Sequence, residues 1–187
     1  MDSQIREIGL LEELSAERDV QRLHARYAQL CDAGYPAEQI AELFVPEGIW
    51  EASPDVGSFK GQEQIRQHFE NAAANYPWAL HANIPLQIEV SHDGLTAHGV
   101  WYLLMPCIDT TTGIATGAWL AGRYDNDFVK VDGNWYYRHL RVHFGLMSPN
   151  HLDWARDRYT LLSKDMPQQE KDSPSDLPSH SGHQENR

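Results

Sequence analysis

The sequence has 187 residues, of which 41% are hydrophobic and 22% are charged. This composition is typical of a globular chain, and the length suits one domain with a sizeable core. It excludes a wholly disordered protein, and the lack of an apolar stretch of about 18 residues excludes a membrane-spanning helix. The two cysteines can form one disulfide at most, which excludes a disulfide-stabilised scaffold.

Acidic residues outnumber basic residues by 27 to 15, which gives a formal charge of -12. Such a surface disfavours nucleic acid and anionic membranes as partners. The N-terminal residues carry charges throughout and have no apolar signal-peptide core, so we expect a cytoplasmic protein with reduced thiols. The six Trp, eight Tyr and ten His indicate a pocket for a flat, hydrophobic small molecule.

Helices are predicted in the first part of the chain. Apolar residues at helical spacing predict a helix from about Ala16 to Cys31, with Ser15 as its N-cap and Gly34 at its end. Residues 1–14 form an N-terminal extension. The next predicted elements are a short helix (36–43), a strand (49–52), a turn (53–57) and a third helix (61–74).

Strands dominate the second part of the chain. Four long strands are predicted over 80–91, 96–107, 114–131 and 134–144. The third of them needs a bend, for which Gly117 and Gly122 are candidates, and Asp132-Gly133 forms a tight hairpin. Helices followed by an antiparallel meander predict an α+β fold, in which a curved sheet wraps around a helix and leaves a conical cavity.

The C-terminal part of the chain divides into a helix and a tail. A helical piece over 151–163 carries Trp154 and other apolar residues that need a surface to cover, and we expect it to cap the cavity. One domain therefore spans 15–163. Residues 164–187 are mostly polar, with several prolines, and they predict a disordered tail.

Two residues stand out as candidates for chemistry. Asp32 ends the first helix, where the helix dipole disfavours a negative charge, so this carboxylate needs another role. His81 opens the first long strand directly after the aromatic residues Tyr76 and Trp78. A histidine on a strand is more often a structural residue than a catalyst, so spacing alone does not decide between the two.

The last strand offers a second group of candidates. Strict alternation places Trp135, Tyr137, His139, Arg141 and His143 on one face. This face is either a hydrated sheet surface or a pocket wall that supplies proton donors and a fixed cation.

Aromatic residues are the candidates for contact with a substrate: Trp50, Trp78, Tyr102, Trp119 and Tyr137. No glycine-rich phosphate loop or nucleophile elbow is present, and the histidines lack zinc-like spacing. We therefore expect neither a metal nor a cofactor.

The order of these motifs is similar to that of the NTF2-like superfamily in its SnoaL-like branch. The motifs are VQRLHARY (20–27) before Asp32, FKG (59–61), LHANIPLQIEV (80–90), GRYDNDF (122–128) and DGNW (132–135). The resemblance covers about residues 15–145, in a branch that includes scytalone dehydratase, bile-acid 7α-dehydratase and hexachlorocyclohexane dehydrochlorinase. It implies a cone-shaped α+β barrel with an apolar cavity and a homo-oligomer, a trimer in preference to a dimer.

The resemblance also implies roles for individual residues. Eliminating members pair an aspartate on the first helix with a histidine on the following long strand, and Asp32 and His81 match these positions. Tyr27 matches a tyrosine of the bile-acid dehydratase, whereas the second acid of that enzyme has no counterpart on the second long strand. A cation on the last strand of the dehydrochlorinase implies a similar role for His139 or Arg141.

The resemblance implies a cofactor-independent lyase that dehydrates a small hydrophobic molecule, aromatic or polycyclic, with an Asp–His dyad as general base. One alternative is a carbon–carbon lyase that releases formaldehyde from a lignin-derived diarylpropane diol. Others are an isomerase and a non-catalytic ligand carrier or structural subunit. A hydrogen bond between Asp32 and His81 inside an open cavity would separate an enzyme from a structural subunit.

Overall fold

The computed structural model describes residues 2–53 and 56–150, with side chains from Gly9 onward. Its helices are α1 (Asp2–Asp32), α2 (Ala37–Ala41) and α3 (Gln62–Asn75). Its strands are β1 (Phe44–Ser53), β2 (Gly57–Lys60), β3 (Trp78–Ala79), β4 (Ala82–Val90), β5 (Thr96–Asp109), β6 (Thr116–Val131) and β7 (Asn134–Pro149). The expected capping helix over 151–163 and the tail over 164–187 lie outside the described residues.

The strands form one strongly curled sheet in the order β2-β1-β7-β6-β5, and both β3 and β4 pair with β5. The β1–β7 pair is parallel and the other described pairs are antiparallel. Side chains from α1 and α3 share one buried core with the inner face of the sheet. The predicted α+β architecture is confirmed.

Helix α1 is longer than the sequence pattern predicts. It begins at Asp2, so the expected N-cap at Ser15 is wrong. The preceding residues are mostly good helix formers, and they extend the helix through Ser15 without needing a cap there. Leu10, Leu11 and Leu14 on this extension remain exposed. The described residues contain no helix long and apolar enough to cross a membrane.

The end of α1 is a Schellman motif centred on Gly34, as predicted. The Tyr35 N–H donates to the Leu30 carbonyl at 3.1 Å, and the Gly34 N–H donates to the Cys31 carbonyl at 3.2 Å. Both Gly34 (φ 87) and Tyr35 (φ 56) are left-handed. This conformation is unusual for an aromatic residue, and it turns the chain so that the Tyr35 side chain is buried in the core.

The strand predicted over 80–91 begins later than expected, at Ala82 as β4, and the separate short strand β3 precedes it. Strand β3 pairs with Cys107 and Ile108, whereas β4 pairs with an earlier part of β5. Leu80 and His81 lie in the break between them. The break frees His81 from the sheet, so its side chain does not have to follow the strand alternation.

Two irregularities interrupt the pairing of β6 with β7. One lies at Gly122, a predicted bend position, where a Cβ atom would come within 2.4 Å of the His143 carbonyl oxygen. The other shifts the register between Tyr137 and His139. A bulge of one residue moves the following side chains to the opposite face, so the alternation predicted for this strand is wrong.

Candidate active site

The Asp32 carboxylate and the His81 imidazole meet at the C-terminal end of α1. Oδ1 of Asp32 lies 2.8 Å from both the backbone N and the ring Nδ1 of His81. A carboxylate oxygen accepts both bonds only when Nδ1 carries the proton, which leaves the Nε2 lone pair available. No described residue hydrogen-bonds Nε2. The pair is therefore arranged as a base and the group that orients it.

Local chain geometry brings these two side chains together. The Schellman turn follows Asp32, the last residue of α1, and directs the Tyr35 side chain inward. The Tyr35 ring meets the His81 ring edge-to-face at 6.0 Å. The Leu80 N–H donates to the Pro106 carbonyl and anchors the chain just before His81. The Asp32 charge faces an unfavourable helix dipole, and the two hydrogen bonds from His81 compensate for it.

His81 opens onto a cavity of about 270 Å³ between α1, α3 and the curled sheet. The aliphatic and thioether part of its lining is Val56, Ala72, Leu103, Met105, Leu120, Val142 and Met147. Its aromatic and polar part is Tyr27, Tyr35, Trp50, His68, Phe69, Asn71, Asn75, Tyr76, His81, Tyr124 and Phe144. These lining residues include no Asp, Glu, Lys or Arg, so the cavity favours a neutral, largely apolar ligand.

Tyr27 lies in a hydrogen-bonded group on the cavity wall. Its hydroxyl accepts a bond from Trp50 Nε1 at 3.0 Å, and its ring meets the Tyr124 ring edge-to-face at 6.2 Å. Burial raises the pKa of Tyr27 and Tyr124 well above the usual value. Burial also raises the pKa of Tyr35 and Tyr76. These phenols keep their protons, so they can orient a ligand oxygen but are poor proton donors.

A second histidine lies behind the cavity. His24 is fully buried, stacks on Trp101 with ring centroids 4.1 Å apart, and has Nδ1 2.8 Å from the Tyr137 hydroxyl. Burial lowers its pKa to about 3, so its ring is neutral. Its Nε2 has no hydrogen-bond partner among the described residues. His24 is outside the cavity lining, and its contacts are those of a core residue.

His139 and Arg141 lie on the outer face of the sheet and do not line the cavity. Arg141 binds Asp127 at 2.8 Å, and Nε2 of His139 lies 3.1 Å from a carboxylate oxygen of Glu51. The bulge before His139 causes this placement, because it turns both side chains away from the interior while Leu140 stays buried. The expectation that this strand supplies a cation or acid to the pocket is therefore corrected.

Of the five aromatic candidates, one lines the cavity and four lie elsewhere. Trp50 lines the cavity, whereas Tyr137 is fully buried in the core behind it. Trp78 and Tyr102 are more than half exposed, and Trp119 lies on the outer face of β6 between the buried Ala118 and Leu120. Strand alternation explains the outward positions of Tyr102 and Trp119, because the residues directly before and after each of them face inward.

Sequence reasoning missed several cavity residues, among them Tyr35 and three polar residues of α3. Tyr35 follows a helix end, and its inward turn depends on a positive φ that a tyrosine does not signal. His68, Asn71 and Asn75 belong to α3, at positions i, i+3 and i+7. That spacing marks one helix face, and it was a usable signal that this polar face lines the cavity. Within the described ranges, no three His, Cys, Asp or Glu side chains form a potential metal site.

The chain is similar to one known domain family and to several solved structures. The model of the SnoaL-like domain matches residues 12–141. No curated protein sequence gives a significant match.

Solved structures resemble the chain at low sequence identity. A provisionally named scytalone dehydratase from Novosphingobium aromaticivorans is 22% identical, with a TM-score of 0.64, over 75% of this chain and 91% of that one. The dehydrochlorinase LinA-type3 from Novosphingobium barchaimii is 19% identical, with a TM-score of 0.65, over 74% and 92% of the two chains. An NTF2-like protein with a cystatin-like fold from Novosphingobium aromaticivorans is 21% identical, with a TM-score of 0.55, over 83% and 94%. At these identities the likeness establishes the fold alone.

Proposed function

Because the chain belongs to the SnoaL-like domain family, we propose that it is a cofactor-free lyase with Asp32 and His81 as its base. The proposed reaction removes water from a small, neutral, hydroxylated aryl compound. The observation that carries the proposal is the 2.8 Å contact between Oδ1 of Asp32 and Nδ1 of His81 at the wall of an apolar cavity.

The reaction begins with proton abstraction from carbon. Nε2 of His81 takes a proton from the carbon next to the one that bears the hydroxyl group, and the C–H electron pair forms the new double bond. The C–O bond breaks, and its electron pair leaves with the oxygen. Asp32 stabilises the imidazolium that forms, because its carboxylate accepts the Nδ1–H bond. Such a positioned base contributes about 10²–10⁴-fold in rate.

The leaving hydroxide needs a proton, and we assign its donor to the same imidazolium. The cavity lining contains no carboxylic acid or ammonium group, and burial raises the pKa of its tyrosines. Transfer of the proton from His81 Nε2 to the departing oxygen releases water and restores the neutral imidazole. Base and acid are then one group on one side of the substrate, so the elimination is syn. Tyr27 orients the leaving oxygen in this scheme.

The cavity supports a substrate of one or two rings. Its volume of about 270 Å³ lies just below the range of about 300–1,000 Å³ that is common for drug-sized ligands. The absence of Asp, Glu, Lys and Arg from the cavity lining disfavours carboxylates and phosphates as substrates. The rings of Phe69 and Trp50 at the wall suit a flat aryl group.

The test is turnover of a panel of neutral benzylic and homobenzylic alcohols, without added cofactor, with products identified by mass. Wild type is compared with His81→Ala, with Asp32→Asn and with the control His92→Ala, which alters an exposed turn. We expect wild type and His92→Ala to eliminate water from the alcohol, and we expect His81→Ala and Asp32→Asn to lose this activity. Full activity of His81→Ala would refute the assignment of the base.

Other products would identify the alternatives. Loss of formaldehyde indicates a carbon–carbon lyase that uses the same base on a hydroxyl group. A product of unchanged mass indicates an isomerase. Tight binding of an aryl ligand by wild type without any turnover indicates a carrier.

The outer face of the sheet supports a homo-oligomer. Ile84, Tyr102 and Leu104 are 55%, 53% and 42% exposed, and Ile84 and Tyr102 are direct partners across β4 and β5. Contiguous exposed apolar side chains are typical of an interface. We expect a trimer, with a dimer as the alternative, and sedimentation velocity will distinguish them. A Leu104→Glu variant should dissociate, and a monomeric wild type would refute the proposal.

A further inference from the structure

His68 is a second imidazole at the cavity wall, and two aromatic rings hold it in place. Its ring contacts Trp50, at 4.1 Å between centroids, and Phe59, at 4.2 Å, and these two rings also contact each other at 5.9 Å. The Phe69 ring meets it edge-to-face at 5.0 Å. These three contacts come from β1, β2 and α3, so the imidazole is fixed by tertiary packing rather than by its own helix alone.

No described residue hydrogen-bonds either ring nitrogen of His68, and the side chain is half-buried and lines the cavity. Burial lowers the pKa of His68 to about 4, so the ring is neutral and offers one N–H donor and one acceptor. The charged neighbours Glu63, Arg66 and Glu70 on α3 pair with one another on the exposed face of the helix.

His68 and His81 are separated by a row of aromatic rings. His81 contacts the ring of Tyr35, which stacks on Phe69 at 6.2 Å, and Phe69 in turn contacts His68. Asn71 and Asn75 also line the cavity on the same face of α3. The cavity therefore has the His81 imidazole at one end of the row and, at the other, a neutral imidazole that no described residue hydrogen-bonds.

We propose that His68 is a second ligand-binding residue, whose ring hydrogen-bonds an oxygen substituent at the far end of an aryl substrate. The inference rests on the proposed function in taking this cavity as the substrate site. It narrows the substrate class to neutral aryl compounds that carry a phenolic hydroxyl, ether or carbonyl oxygen remote from the reacting carbon. Such a group gives the half-buried imidazole a hydrogen-bond partner that no described residue supplies, which is how polar sites select their ligands.

The test compares β-naphthol with naphthalene, a matched pair that differs by one hydroxyl group, by calorimetric titration of the full chain. It uses the His81→Ala background, in which His68 is the remaining imidazole of the cavity. In that background β-naphthol should bind about tenfold more tightly than naphthalene, which corresponds to one net hydrogen bond. In the His68→Phe/His81→Ala double variant the two ligands should bind equally, and naphthalene affinity should be unchanged, since Phe keeps the stacking with Trp50 and Phe59.

Each other result overturns the inference. Equal binding of the two ligands in His81→Ala, or no binding of either, means that His68 does not recognise an oxygen substituent. A preference that survives in the double variant means that another group does. Near-ultraviolet circular dichroism checks that the double variant keeps its packed aromatic core. A lack of His81-dependent turnover would refute the proposed function. It would not change the ratio of the affinities for β-naphthol and naphthalene, on which this inference depends.

Discussion

One oxygen of Asp32 accepts two hydrogen bonds from His81, at 2.8 Å from its backbone N–H and at 2.8 Å from Nδ1. The carboxylate thus fixes both the main chain and the ring orientation of a residue 49 positions away. The break between β3 and β4 leaves the His81 ring outside the sheet, where Asp32 Oδ1 and the ring of Tyr35 contact it.

The Asp32→Asn variant separates the charge of this group from its shape. The amide oxygen can still accept the His81 backbone bond, but no negative charge stabilises the imidazolium, so kcat should fall by about 10²–10⁴-fold. Affinity for an unreactive aryl ligand should stay within about twofold of wild type, because Asp32 does not line the cavity. Asp93→Asn, which alters a turn carboxylate bonded to Ser91, is the control. Activity above a tenth of wild type would contradict the proposed role.

The Tyr137→Phe variant should destabilise the fold by about 1–3 kcal/mol, because it removes the single hydrogen-bond partner of the buried His24 ring among the described residues. Denaturant unfolding at neutral pH measures the effect. Tyr136→Phe makes the same chemical change at the half-buried neighbouring position and should cost much less. Equal losses in the two variants would show that the His24 contact contributes little.

Buried histidines should make the protein less stable in acid. His24 has a pKa of about 3 in the folded state because of burial, whereas an unfolded histidine takes up a proton near pH 6.5. Between these values the unfolded state binds more protons than the folded state, so the free energy of unfolding falls as the pH falls from about 6.5 to 3. His68, with a pKa of about 4, adds to the loss over most of this range.

A pH series of unfolding free energies tests this dependence. Between pH 5.5 and 4, His24→Phe should reduce the slope by about 1.4 kcal/mol per pH unit, since it removes one proton from the difference between the two states. His92→Phe, at an exposed position, should leave the slope unchanged. A wild-type slope that survives in His24→Phe would mean that His24 titrates normally in the folded protein.

The bulge between β6 and β7 provides a matched pair of glycines. A Cβ at Gly122 would meet the His143 carbonyl oxygen at 2.4 Å, whereas a Cβ at Gly145 would meet nothing within 4 Å. Gly122→Ala should therefore cost about 1–3 kcal/mol, because the backbone must shift to relieve the overlap. Gly145→Ala should be close to neutral, and thermal unfolding compares the two. A harmless Gly122→Ala would mean that the two strands separate easily at this bend.

The sequence by itself determined the features that depend on local chain geometry. Gly34 ended the first helix, and the Asp132-Gly133 hairpin formed where predicted, with both residues at positive φ. The order of helices and strands was enough to predict the α+β fold. Turns, helix ends and side-chain periodicity involve residues close together in the chain, which made these inferences possible. The pairing of Asp32 with His81, which are 49 positions apart, came only from the resemblance to the SnoaL-like branch.

Only the tertiary structure decided which side chains reach the cavity. One extra residue in β7 moved His139 and Arg141 to the outer face, and a one-residue slip is invisible in a pattern that reads equally well on both faces. The spacing of His68, Asn71 and Asn75 marked one face of α3, but only the packing of α3 against the sheet decided that this face lines the cavity. The register of β7 depends on pairing between segments far apart in sequence, and no local pattern of residues encodes it.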